Sequence, residues 1–268
     1  MEKLELQPPH RNCRWHVALF CGLAIAILTF SARQKFAPVP DGGIFAPVDI
    51  VSLVLGVLTA LSPIILVWMV NGVYLSALAK LGIHWFWLAD MCQWIVLPAA
   101  AWWFLSRRAN IGLKEIGFTA KRAEWPTVIT GALAVLITTG IVFFLTRNVS
   151  WRLLGYPTGF FTFAAAYPEG ILRPIVWLYS SLTAGFVESA VFIGLPWLLY
   201  ASSKQTPSKA VFILLASIVF ALVHWEQGPH VVIGAFFFHI VACGWFFYFR
   251  CLWPVAIGHA LVDLVAFS

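Results

Sequence analysis

The sequence predicts an all-α fold, a polytopic membrane helical bundle of about eight transmembrane helices, with residues 1–268 forming a single integral membrane domain. Three observations predict it. The 268 residues are 61% hydrophobic and 10% charged, whereas soluble domains run near 45–50% and about 25%. The apolar residues gather into runs of about 17–25, the length that carries an α-helix across the hydrocarbon. Trp and Tyr recur near the ends of those runs, as at Trp15, Trp85, Trp102, Trp103, Trp151, Tyr200 and Trp253. Such amphipathic rings suit the headgroup level, although core packing accounts equally well for any one of them.

Taken in order, the runs predict spans near 15–31, 47–71, 84–105, 125–146, 172–200, 210–224, 230–249 and 252–267. Basic Arg11 and Arg14 precede the first, and no small-residue cleavage site follows it. It therefore reads as a retained helix rather than a signal peptide. The sixth and eighth spans are short for a full crossing. They are expected to tilt or to stop at a water-filled cavity, where backbone groups can be satisfied below the bilayer surface. Turn chemistry separates the spans: Pro38-Val39-Pro40-Asp41-Gly42-Gly43, Tyr156-Pro157-Thr158-Gly159 and Ser202 to Pro207. No internal repeat stands out, which argues against an inverted-repeat transporter.

The net charge of +6 excludes little by itself and does not point to nucleic acid, because Lys and Arg cluster in short loops. Arg107, Arg108, Lys114, Lys121 and Arg122 mark one loop as cytoplasmic. Counting from it puts Lys204, Lys209 and Arg250 inside and Arg147 and Arg152 outside. Lys3, Arg11 and Arg14 then fall outside, against the rule. The stretch Asn110 to Phe118 in the same loop reads as a packed connector or as an element lying on the inner surface. Cys13, Cys21, Cys92, Cys243 and Cys251 are scattered without a CxxC pair, so a disulfide framework or thiolate zinc site is not expected and buried inert thiols are. Compactness and short loops suggest a prokaryotic plasma membrane.

Polar residues interrupt three of the late apolar runs. Glu188 lies in Gly185-Phe186-Val187-Glu188-Ser189, His224 closes Phe220-Ala221-Leu222-Val223-His224, and His259 opens His259-Ala260-Leu261-Val262-Asp263. An ionisable side chain at the centre of a span costs about 2.5–3.5 kcal/mol on translocon scales and is rarely kept without a role. Residues four apart share a helix face. Glu188 is therefore expected to stack with Phe192, Phe220 with His224, and His259 with Asp263. One carboxylate and two histidines on neighbouring helices converge only in the bundle interior, where they suit hydrolysis.

These residues resemble the CPBP family, the CAAX protease and bacteriocin-processing (Abi) group of intramembrane proteases, whose best-known branch is the type II CAAX prenyl endopeptidases. Its first motif, Glu-Glu-x-x-x-Arg, is matched in part by Glu188-Ser189-Ala190-Val191-Phe192-Ile193-Gly194. Phe220 and His224 match Phe-x-x-x-His. His259 and Asp263, after Leu252-Trp253-Pro254, match His-x-x-x-Asn/Asp. Each motif alone is weak; their order, spacing and shared position on late spans are specific. The resemblance implies a catalytic core over approximately 172–268. It also implies an intramembrane endopeptidase acting on a peptide or membrane-anchored, lipidated protein substrate, with Glu188 as the water-activating base. Ser189 stands where the second Glu belongs and Ile193 where the Arg belongs, a loss of one acid and one base together. An inactive scaffold, or an immunity protein against a peptide toxin, therefore stays open beside the active enzyme.

Peptide hydrolysis needs a base for water, stabilisation of the oxyanion and a proton for the leaving amine. His224 is suited to share the water with Glu188, and His259 to point an N–H at the oxyanion. Asp263 is expected to accept from the other imidazole nitrogen and fix its tautomer, or to be protonated. No cofactor is required by this scheme. A zinc version with Glu188, His224 and His259 as ligands uses the same residues, and spacing does not separate the two. Phe192 and Phe220 read as walls of the site or plain core. His230 and His239 read as packing residues, and Glu226 and Gln227 as a solvated turn. Asp90 with Gln93 is expected either to pair across the bundle or to line the substrate path.

Overall fold

The computed structural model describes residues 50–120, 124–161, 166–202 and 208–267, all of it helix, turn or loop with no strand among them. The first expected span, 15–31, lies outside these residues, as do Lys121, Arg122 and Lys204.

The chain enters through α1 (Ile50–Trp68), which carries no charge and has Pro63 in its interior. It bends by 55° into α2 (Asn71–Leu81). The sequence reading ended this span near residue 71, because the polar character of Asn71 to Lys80 hides a second helix. Next come α3 (Ile83–Met91), a π-helical turn (Cys92–Val96) and α4 (Leu97–Ala109), continuous as one apolar stretch from Ile83 to Arg107. The helix α5 (Trp125–Leu153) runs two turns beyond the expected end at 146. In its last turns the Thr146 and Ser150 hydroxyls donate back to the carbonyls of Val142 and Arg147.

The second half begins with α6 (Leu172–Thr183) and passes through two π-helical turns, Ala184–Glu188 and Ala190–Gly194, into α7 (Leu195–Ser202). Then follow α8 (Lys209–Leu222), a 3₁₀ turn (Trp225–Gln227), α9 (Pro229–Phe249) and α10 (Trp253–Phe267). Four stretches are long and apolar enough to cross a membrane, or five with the bent α1–α2 pair counted as one, while α8 and α10 are shorter. At 1.5 Å per residue, α8 and α10 are each roughly 21–23 Å long. α8 ends at Leu222, and the chain turns straight into an internal cavity.

Helix α5 packs against both α9 and α10, and α9 packs against α8. The close crossing of α5 with α10 depends on Gly258, where a Cβ would lie 2.6 Å from Cβ of Val135. The connector from Asn110 to Phe118 is packed rather than surface-lying: Ile111 and Ile116 are buried, and Gly117 O accepts from Leu252 N. Among the cysteines described, Cys243 is buried as expected, whereas Cys92 is exposed.

Candidate active site

A cavity of about 1030 Å³ opens between these helices, and Glu188, Phe220, His224, His259 and Asp263 all line it. Each arrives by a different local device. Glu188 closes the π turn that follows α6, where Gly185 lets that turn approach α10. A Cβ on Gly185 would stand 2.6 Å from Ala260 N and 2.7 Å from Ala256 O. His224 sits just beyond the end of α8. His259 and Asp263 are one turn apart inside α10.

Glu188 Oε2 stands 3.6 Å from His259 Nε2, and Asp263 Oδ2 stands 3.3 Å from the same nitrogen. The two carboxyl groups thus meet one edge of the imidazole, where Asp263 was expected at the opposite nitrogen. The reason is the geometry of α10: a side chain one turn on reaches the ring edge that already faces Glu188. His224 Nδ1 is 2.8 Å from Phe220 O. A carbonyl only accepts, so Nδ1 carries the hydrogen and Nε2 is the acceptor of the neutral ring.

Phe220 organises the histidines. Its ring lies 4.8 Å from His224, 6.0 Å from His259 and 4.4 Å from His239, stacked on the last. Phe220 is therefore wall and core at once. Phe192 contacts Phe220 edge-on and Trp68 on its other side, within the core. Phe192 does not line the cavity and serves as core rather than as a wall of the site. Ser189 and Ile193 are both buried, Ser189 Oγ finds no hydrogen-bond partner, and neither residue lines the cavity.

Two side chains, Glu226 and His230, depart from the sequence reading. Glu226 is 2% exposed, not solvated. Its Oε2 accepts from Gly72 N at the first turn of α2, while Trp225 Nε1 donates to Met69 O at 2.7 Å. The turn after His224 therefore grips the bend between α1 and α2. Burial pushes the Glu226 carboxyl up to about 8, against the backbone N–H groups of Gly72 and Val73 that lower it. His230 lines the cavity with a buried, unpartnered Nδ1. His239 packs as expected, with Nδ1 3.1 Å from Ser217 Oγ, although its Nε2 is unpartnered. Asp90 pairs across the bundle, accepting from Tyr179 at 3.0 Å and from Gln93 at 3.2 Å, and it also lines the cavity.

Residues 170–265 match the family model described as Rce1-like, the type II CAAX prenyl endopeptidases. This segment is similar to that family. No curated protein and no solved structure matches the chain.

The Rce1-like segment contains Glu188, His224, His259 and Asp263, while Asp90 and the bent α1–α2 pair lie outside it. Together with the apolar helices, this match supports an integral membrane protein whose C-terminal segment is similar to CAAX-type proteases. Among the described residues, no three His, Cys, Asp or Glu side chains are disposed to hold a metal ion. His259 Nε2 already faces two carboxyl oxygens.

Proposed function

We propose that the protein cleaves a peptide bond of a membrane-associated or lipidated substrate, with Glu188 as the base that activates water. The observation that carries this reading is the 3.6 Å approach of Glu188 Oε2 to His259 Nε2 on the wall of an intramembrane cavity. A water in that cavity loses its proton to Glu188 and attacks the peptide carbonyl. The N–H of His259 steadies the oxyanion, and Glu188 passes the proton to the leaving amine. Asp263 holds the His259 ring from the same edge. The acceptor Nε2 of His224 orients the water. We assign the activity to a prokaryotic plasma membrane.

The test uses purified protein in proteoliposomes and a fluorogenic peptide ending in a prenylated CAAX sequence. Glu188→Gln is expected to lower kcat by roughly 10²–10⁴-fold, the usual worth of a positioned general base. Activity is expected to survive chelation; loss restored by zinc would replace this mechanism with the metal one. Unchanged cleavage by Glu188→Gln would sink the assignment. The burial of Ser189 and Ile193 in the core, where the family motif has an ion pair, favours one other reading: a non-catalytic scaffold or immunity protein. Binding of the probe without cleavage by the wild type is its signature.

A further inference from the structure

Glu226 is a buried carboxyl in the cavity with one oxygen in use and one idle. Oε2 accepts from Gly72 N, and Oε1, also buried, has no hydrogen-bond partner. Neither ion pair formed among the described residues involves it, since both belong to His259. Native structures rarely leave a buried polar atom unserved, and each exception calls for an account. The same cavity holds Glu188, His224 and His259.

The carboxyl is held on three sides. Its own main-chain oxygen accepts from Phe160 N at 3.0 Å, Gln227 N donates to His224 O at 3.0 Å, and the neighbouring Trp225 is tied to Met69. A fixed polar group on a wall shared with the reacting residues is suited to binding, because positioning groups act through rigid support. Glu226 follows His224 by two residues, so both are carried by one short turn.

We propose that Oε1 of Glu226 is a substrate-binding site, which hydrogen-bonds a main-chain amide of the peptide held in the cavity. The inference rests on the protease reading above. The occupant is main chain rather than a particular side chain, because every peptide offers amides at a repeat of about 3.3–3.6 Å when extended. One bond away from the scissile amide then sets its register against Glu188. Glu226 touches substrate but not the reacting atoms, so its loss appears in KM more than in kcat.

A double cycle tests this. Prenylated fluorogenic peptides are made with one amide N–H at a time replaced by an ester oxygen, at every position except the scissile bond. Each is assayed with wild type and with Glu226→Ala in proteoliposomes above about pH 8, where the Glu226 carboxyl is ionised and Oε1 accepts. One ester is expected to raise the wild-type KM about tenfold and to have no further effect in Glu226→Ala, whose KM is already raised. Effects that multiply at every position, or a wild-type KM in Glu226→Ala, overturn the site and assign the oxygen to water. If Glu226→Ala does not fold, Glu226→Gln takes its place, since it matches the volume and still accepts from Gly72. Its coupling to one ester is then expected to differ from wild type, and identical coupling overturns the site. Absence of any cleavage by wild type defeats the protease reading and the site with it, whereas normal cleavage without coupling defeats the site alone.

Discussion

A single carboxyl can be followed from its burial to a measurable property of the whole protein. Glu226 has its pKa raised from 4.5 to about 8 in the folded state. The folded protein therefore keeps a proton that the unfolded chain releases above about 4.5. The stability this contributes is full below about pH 4.5 and is lost as pH rises through about 8. The melting temperature of wild type minus that of Glu226→Gln is thus expected to fall between pH 5 and 8.5, by on the order of 5 °C. A difference that stays flat across this window would mean that the carboxyl is solvated. Glu188, His224, His259 and Asp263 were legible in the sequence because apolar neighbours make an ionisable residue conspicuous. Glu226 was not, because Trp225-Glu226-Gln227-Gly228-Pro229 has the composition of an exposed turn. Its burial comes from docking on α2, some 150 residues away in sequence, as the 154-residue separation from Gly72 records. No local pattern encodes that contact.

Among the elements, the paired π turns around Ser189 decide where Glu188 points, and Gly185 decides how near they come to α10. Gly185→Ala adds one methyl group against Ala260 N and Ala256 O. Backbone atoms cannot yield as a flexible side chain does, so α6 and α10 must separate. A misplacement near 1 Å can cost about 10²-fold in rate. Cleavage is expected to fall by that order while helical circular dichroism is kept; an unchanged rate would show that the crossing has slack. Apart from the overrun of α5 and the hidden α2, span limits among the described residues were readable to within a few residues because an apolar run ends where solvent begins. The bend at Met69 and the π turns were not, since a period of 3.6 residues contains no information about where a helix departs from it.

Across the whole molecule, the Rce1-like segment is braced by the part of the chain that precedes it. Asp90 on α3 accepts from Tyr179 on α6, and Gln93 links Asp90 to Tyr74 on α2. Asp90→Asn and Tyr179→Phe are expected each to destabilise the protein. Their double variant should be no worse than the more harmful single one, with a coupling of about 0.5–3 kcal/mol from thermal melts. Strictly additive losses would mean that the bond is incidental. The bundle class was plain from composition alone, but this bracing was not, because Asp90 carries no sign of its partner. The short reach of α8 has a further consequence for the surrounding lipid. Val211 and Leu214 on this helix are exposed, and its roughly 21 Å falls well short of a hydrocarbon thickness of about 30 Å. Acyl chains beside α8 must shorten or splay to cover it, as hydrophobic mismatch requires. The bilayer is therefore expected to thin beside α8, next to the turn that carries His224.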